Sequence, residues 1–292
     1  MRDPHSSCTA GASVVAPGEL RALVAAALKE DLGSGDLTTR LTVPQGRRAR
    51  GTFINKQTLV VAGLPVAAEV FRALEASVGW EPLVEEGTEV APDTRLAVAR
   101  GTAATLLAGE RVALNFLQRL CGIATLTRRL KAELTGLNVE VLDTRKTTPG
   151  LRAVEKYAVR VGGGRNHRLR LDDGILIKNN HVRLAGGVQP AVENARRGRP
   201  AGMLVEVEVA NVAELDEAIA AGADVALLDN MTPGQVRECV ARAAGRLRLE
   251  VSGGISAANI RAYGEAGVDY ISVGALTHSA PAADIHFLIE PL

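Results

Sequence analysis

Aromatic side chains are scarce in this chain: four Phe, three Tyr and one Trp among 292 residues. Stacking platforms for single-stranded nucleic acid are therefore poorly supplied. Neither sign of charge dominates, since the formal net charge is +1, so no global field draws the protein to DNA or an anionic membrane. Any affinity for anions has to come from local clustering. Cysteine is limited to Cys8, Cys121 and Cys239, which lie far apart without C-x-x-C spacing. Their odd number and wide spacing fit reduced thiols in a cytoplasmic protein, and neither a disulfide framework nor a zinc site. No run approaches about 18 apolar residues, so no transmembrane helix is expected. The opening MRDPHSSCTAGASVVAPG lacks the apolar stretch of a secretory signal, and residues 1–17 read as a disordered leader. H-E-x-x-H, P-loop and G-x-S-x-G patterns are all missing, which argues against zinc proteases, P-loop kinases and serine hydrolases.

What is present divides into two halves with different rhythms. Leu20, Leu23, Val24, Ala27 and Leu28 follow helical spacing from Gly18 to about Leu32, where Gly33 stops the helix. Short β-rich pieces follow at Arg50–Asn55, Thr58–Val61, Gly79–Leu83 and Leu96–Ala99, with helical patterns over Pro65–Ser77 and from about Thr102 to Leu120. This half reads as a small antiparallel sheet with helices on one face. In the second half, apolar runs recur at Val139–Leu142, Ile175–Ile177, Leu204–Val209, Val225–Leu228, Leu247–Val251 and Tyr270–Val273, with helical patterns between them. The last four start roughly 22 residues apart, the period of a parallel βα repeat. No G-x-G-x-x-G opens a helix after the first of these strands, so a Rossmann domain is excluded. Six strands predict an incomplete parallel (β/α) barrel.

Polar residues gather where those strands end. Val139–Leu142 runs into Asp143-Thr144-Arg145-Lys146, Ile175–Ile177 ends at Lys178, and Val225–Leu228 ends at Asp229. The last two strands end in Ser252-Gly253-Gly254 and Val273-Gly274-Ala275. Parallel barrels carry their active sites at the C-terminal ends of the strands, and often bind phosphate on backbone N–H groups after the final two. In V-E-V-E-V the valines face the helix layer, which directs Glu206 and Glu208 inward. Inward carboxylates either pair with interior cations or serve a substrate, and Glu208, nearer the rim, suits a magnesium ion or a ribose together with Asp229.

From Arg145 to Arg183 there are ten Lys or Arg against three acids, a local excess of seven positive charges. Arg152, Lys156 and Arg160 read as a solvated helix face. Arg145, Lys146, Arg168 and Lys178 stand at or beside strand ends and suit a small polyanion, with arginine forking onto carboxylates and lysine acting as a point charge. His167 abuts Arg168 and reads either as structural or as a neighbour of an anionic substrate. His181 reads as the cap of a turn.

The stretch DTRKTTPGLRAVEKYAVRVGGGRNHRLRLDDGILIKNNH (143–181) resembles the signature of the quinolinate phosphoribosyltransferases. So do LKEDLGSGDLTTR (28–40), GERVALNFLQRLCGIAT (109–125), VEVEVANVAELDEA (205–218), LLDNM (227–231), SGGI (252–255) and VDYISVGALTHS (268–279). The resemblance runs in order over nearly the whole chain beyond the leader. It implies an α/β protein with an N-terminal α/β sandwich domain at 18–114 and an incomplete, six-stranded α/β barrel at 115–280. A C-terminal tail at 281–292 would pack back on the first domain. It implies phosphoribosyl transfer from phosphoribosyl pyrophosphate to quinolinate with decarboxylation, Mg²⁺ as cofactor, and a homodimer with shared active sites, without nucleic acid or membrane partners. Quinolinate-binding positions then fall on Arg111 (from the partner subunit), Arg145, His167 and Arg168, with Lys146 and Lys178 around the quinolinate and pyrophosphate, and Thr144 in the same strand-end set. Glu208 and Asp229 match the acidic pair near the ribose and the metal, directly or through water. Ser252, Gly253, Gly254, Val273, Gly274 and Ala275 match the 5′-phosphate contacts. Asn179, where the family often has Asp, and Arg170, where a small residue is common, are departures expected to lie clear of the substrate positions. A nicotinate-specific relative would need fewer cations, and a catalytically silent barrel would find the strand-end residues dispensable.

Overall fold

The computed structural model describes residues 15–292; residues 1–14, with Cys8 and most of the expected leader, lie outside them. The chain opens with α1 (Pro17–Leu32), α2 (Leu37–Thr42), β1 (Arg48–Asn55), β2 (Leu59–Val60) and α3 (Leu64–Leu74). It continues through β3 (Gly79–Pro82), β4 (Glu89–Val90), β5 (Arg95–Thr102) and the long α4 (Ala103–Ala132). Then come β6 (Glu140–Leu142), α5 (Arg152–Val161), β7 (Ile175–Ile177), α6 (Asn179–Ala185), α7 (Val188–Gly198) and β8 (Val205–Val209). The remainder is α8 (Val212–Ala221), β9 (Val225–Asp229), α9 (Pro233–Ala243), β10 (Arg248–Ser252), α10 (Ile260–Gly264), β11 (Tyr270–Ser272), α11 (Ala275–His278) and β12 (Ile285–Pro291). The described residues fall into two compact units, one of 15–128, 147–163 and 279–292, the other of 129–146 and 164–278. The expected domain boundary at 114/115 lies inside α4, which is continuous there.

In the first unit, β12, β1, β5 and β3 form an antiparallel sheet in that order. Its core is aromatic despite the scarcity of such residues: Phe53, Phe71, Trp80 and Phe287 pack with centroids 4.3–6.1 Å apart. The chain's last strand, read in the sequence as a C-terminal tail, thus supplies an edge and a core ring. α4 extends a dozen residues past the expected Leu120 because its buried face continues through Cys121, Ile123, Ala124 and Leu130. Gly122 interrupts the helical pattern for a packing reason, since a Cβ there would stand 2.0 Å from the Pro281 carbonyl oxygen. One expectation fails in this unit. The residues read as a solvated face include Lys156, which is fully buried, as is Glu155. The Glu155 carboxylate accepts from Arg119 at 2.8 and 3.1 Å and from the Thr148 N–H at 3.1 Å.

The second unit is the barrel. Its six parallel strands run in the order β6-β11-β10-β9-β8-β7, which is sequential around a circle with the seam between β6 and β7. The strands match the sequence pattern to within one or two residues, and the βα units carry the local signals expected of them. Asn211 caps α8 by accepting from the Glu214 N–H at 3.0 Å. Thr232 and Gln235 form a capping box at α9, whose first residue is Pro233. At the seam, residues 164–166 stand in for a missing strand. Arg165 N–H donates to Val141 O at 2.9 Å, and Asp143 N–H donates to Arg165 O at 3.1 Å.

Candidate active site

The inward face of β8 is as the alternation dictates: Val205, Val207 and Val209 are fully buried, and Glu206 and Glu208 are buried as well. Glu208 accepts from Lys178 Nζ at 2.7 Å and from the Asn179 N–H at 3.0 Å. Lys178 directly follows β7 and Glu208 lies near the end of β8, so neighbouring parallel strands bring this pair together. Asn179 also reaches Asp229 with its side-chain amide at 3.5 Å. The expectation that Asn179 lies clear of the site is thereby corrected, because Asn179 links Glu208 to Asp229. The other departure, Arg170, stays at the surface and pairs with Asp172 at 3.0 Å.

Arg145 lies near enough to Arg168 for its charge to act on it. Burial and then the Arg145 charge hold the Arg168 guanidinium below the usual arginine range, while Glu206 and Glu208 pull the other way. Arg168 donates to Gly174 O at 2.9 Å, and the buried Nε of Arg145 has no hydrogen-bond partner in the chain. Two like charges in one half-buried place, one with an idle donor, make a site that an anion stabilises. Thr144 accepts from the Lys146 N–H at 3.1 Å and shapes the turn that carries both basic residues.

The segment bearing His167 and Arg168 is tied to the end of β6. Asp143 is fully buried and accepts from the His167 N–H at 2.9 Å and from the Asn166 amide. His167 Nε2 lies 3.0 Å from Glu206 and 3.9 Å from Glu250, while its Nδ1 accepts from the Arg168 N–H at 2.7 Å. Among the described residues, His167, Glu206 and Glu250 are the only three such side chains whose ligand atoms lie within 4.8 Å of one another. Burial first, then the Glu206 charge, pushes the Glu250 carboxyl well above the usual carboxylate range. Glu250 was missed by the sequence reading, although a signal existed. In Leu249-Glu250-Val251 the same alternation that directs Glu206 inward directs Glu250 inward.

At the first of the two glycine turns, Gly253 has φ +103° and Gly254 φ +63°. A Cβ at Gly253 would stand 2.2 Å from Asn230 Oδ1 and 3.1 Å from Asn230 Cα. Asn230, itself at φ +55°, donates its N–H to Ser252 O at 2.9 Å. Across the last strand, Val273 N–H donates to Leu142 O at 2.9 Å, so it is committed to the β6 edge. The Lys146 stem passes over Gly274, 3.0 Å from where a Cβ would be, and Ala275 opens the short α11. Lys146 and the second glycine turn are therefore neighbours.

Arg111 is exposed on α4 in the other unit. His181 accepts from the Lys178 N–H at 2.9 Å through Nδ1 and caps α6. The cavity of about 610 Å³ lined by Asp36, Thr39, Arg40 and Arg47 holds none of the predicted site residues.

Residues 36–121 match the family described as "Quinolinate phosphoribosyl transferase, N-terminal domain", and residues 123–288 match its "C-terminal domain". The chain is 42% identical over 265 residues to the nicotinate-nucleotide pyrophosphorylase [carboxylating] of Mycobacterium leprae, covering 89% of this chain and 93% of that one. It is 42% identical over 256 residues to the probable enzyme of the same name from Bacillus subtilis, covering 88% of each. The crystal structure of NadC from Streptococcus pyogenes superposes with a TM-score of 0.91 at 39% identity, covering 96% of this chain and all of that one. With both halves matched in order and the six-stranded barrel in place, the chain belongs to the quinolinate phosphoribosyltransferase family.

Proposed function

We propose that this protein transfers the phosphoribosyl group of phosphoribosyl pyrophosphate to quinolinate, releasing pyrophosphate and CO₂ and forming nicotinate mononucleotide for NAD synthesis. The observation that carries this reading is the neighbouring like-charged pair Arg145 and Arg168, with a buried idle donor on Arg145. The pair suits a dianion such as quinolinate better than a monoanion. Lys178 held on Glu208, and Lys146 beside the Gly274 turn, extend the positive rim toward the pyrophosphate and 5′-phosphate ends of the second substrate.

The reaction asks the protein for placement and electrostatics. The quinolinate ring nitrogen forms a bond to the sugar C1 as the C1–O bond to pyrophosphate breaks, through a transition state with oxocarbenium character. Glu208 and Asp229 supply negative charge to that centre. Lys146 and Lys178 neutralise the departing pyrophosphate. Once alkylated, the ring nitrogen is an electron sink, so the bond to the 2-carboxylate breaks, CO₂ leaves, and the electron pair left on the ring carbon takes up a proton. Orienting the substrates and excluding water account for the rest.

Both Glu208 oxygens are already engaged, by Lys178 and by the Asn179 N–H. That arrangement fits Mg²⁺ held by Glu208 and Asp229 through its waters, the manner this ion favours beside phosphates. When bound, Mg²⁺ neutralises pyrophosphate charge. The exposed Arg111 is best explained as a contribution to the site of a second subunit in a homodimer. We place the protein in the cytoplasm, a reading supported by the two buried free thiols, Cys121 and Cys239; no helix among the described residues is long and apolar enough to cross a membrane.

The test is quinolinate-dependent release of CO₂ and pyrophosphate from phosphoribosyl pyrophosphate in Mg²⁺ buffer, with nicotinate as competing substrate. Equal use of nicotinate, or pyrophosphate release without CO₂, would overturn the assignment.

A further inference from the structure

His167 is the residue most easily taken for a positive ligand of the substrate, and its hydrogen bonds argue otherwise. The Arg168 backbone N–H can only donate, and it lies 2.7 Å from Nδ1. Nδ1 must therefore offer a lone pair, which leaves the ring proton on Nε2. That proton is directed at Glu206 Oε2, 3.0 Å away. A second proton on the ring would set N–H against N–H at Nδ1 and break the bond that shapes the start of Arg168. We propose that His167 is a positioning residue, fixed as the neutral Nε2–H form by Glu206 with Glu250 behind it, and gives the carboxylate site orientation in place of charge.

The surroundings agree. The His167 N–H is fastened to the buried Asp143, so backbone and ring are held at opposite ends. Glu250 reaches to 3.9 Å from the same Nε2, and it lies close enough to Glu206 for the two carboxyl groups to act on each other. Burial and the Glu206 charge push the Glu250 carboxyl up to about 8, which favours its protonated form and lets it act as a donor toward Glu206. The Glu206 carboxylate in turn acts favourably on Arg168. In this arrangement Arg145 and Arg168 bring the positive charge, and His167 holds Arg168 in place. Nothing in the sequence distinguishes this role from that of a cationic histidine, because it depends on which atom the Arg168 N–H meets.

The inference rests on the proposed quinolinate site for its consequence, but its test reads the free enzyme first. Two-dimensional ¹H–¹⁵N spectra of the full-length protein labelled at histidine nitrogen, with signals assigned through His167→Gln, report the protonation of each ring nitrogen. The expected result is an unprotonated Nδ1 and a protonated Nε2 on His167 from about pH 6 to about pH 8, across the range where a free histidine changes charge. The pattern should persist with quinolinate added alone. An imidazolium in either state would overturn the proposal, whereas failure of quinolinate to perturb any signal would count against the substrate and leave the tautomer standing. Glu250→Gln keeps a donor toward Glu206, so it should keep the tautomer and stay within about threefold of the wild-type kcat/KM. Glu250→Leu should raise the KM for quinolinate about tenfold or more with a smaller change in kcat. A Gln variant as impaired as the Leu variant would also overturn it.

Discussion

Replacing Arg145 with methionine should make the protein more stable and nearly inactive. The stabilising part follows from the unliganded site. Arg145 carries a buried Nε without a partner, and its charge opposes that of Arg168. An unmet buried donor costs about 1–3 kcal/mol, and the half-exposed position returns part of that to solvent, leaving about 1 kcal/mol to be gained. Methionine keeps most of the apolar stem and fills the space flexibly. In a domain of this size that gain appears as a rise of about 2–4 °C in Tm. The functional part has the opposite sign. Removing one member of a hydrogen-bonded charge pair costs about 2–5 kcal/mol, equivalent to a loss in kcat/KM of about 30-fold to several thousand-fold. Differential scanning fluorimetry without substrate and initial rates against quinolinate would check both halves. Arg145→Lys, which keeps charge and loses the fork, should fall between. A methionine variant that is less stable than wild type while retaining its activity would refute the reasoning, since Arg145 would then be a structural residue.

Three further outcomes follow from other parts of the molecule. Gly253→Ala forces a side chain into φ +103° and against the Asn230 side-chain amide. It should cost about 1–3 kcal/mol and raise the KM for phosphoribosyl pyrophosphate far more than that for quinolinate, as steady-state kinetics would show. Glu75 accepts from the Thr102 N–H at 3.1 Å, and this bond, with those of Thr105, Ser77 and the Thr102 hydroxyl, lowers its pKa to about 2. Its folded pKa lies below its unfolded one, so the stabilisation is full at neutral pH and is lost as pH falls from about 4.5 to about 2. Allowing for solvent, Glu75→Gln should cost about 1–2 kcal/mol at pH 7, and less than half of that at about pH 3, by urea unfolding. Mixing an Arg111→Ala subunit with a Lys146→Ala subunit should restore activity if sites are shared; no recovery over either variant alone would argue against Arg111 acting across a dimer.

The barrel was legible because each strand is a short apolar run with its polar residue at the end. The period of the last four strands set their direction. The first unit was less so. β4 and α2 were missed because Glu89–Val90 is two residues long and α2 is a six-residue helix announced mainly by its Asp36 cap. β12 alternates well enough, but its role as the partner of β1 depends on a pairing across more than two hundred residues, which no local pattern encodes. Lys156, read as part of a solvated face, illustrates the converse failure, and its neighbour Glu155 is buried with it. Their charges mark a solvated face in most helices, and only the positions of Arg119 and Thr148 make burial of Glu155 affordable.

The site shows the same division between what strands announce and what loops conceal. Lys178, Glu208 and Asp229 are strand-end residues, and parallel pairing of β7, β8 and β9 brings them together without any further information. Arg168 and His167 are placed differently. They enter at the seam, where β6 and β7 do not pair and residues 164–166 take up the β6 edge through Arg165. A closed barrel would have used the Asp143 backbone in a ladder to another strand; here Asp143 N–H binds Arg165 O, and its carboxylate binds the two residues that follow. The incompleteness of the barrel is therefore what admits a second arginine beside Arg145, at a point where six regular strands would supply only one. A dianionic substrate needs that second arginine.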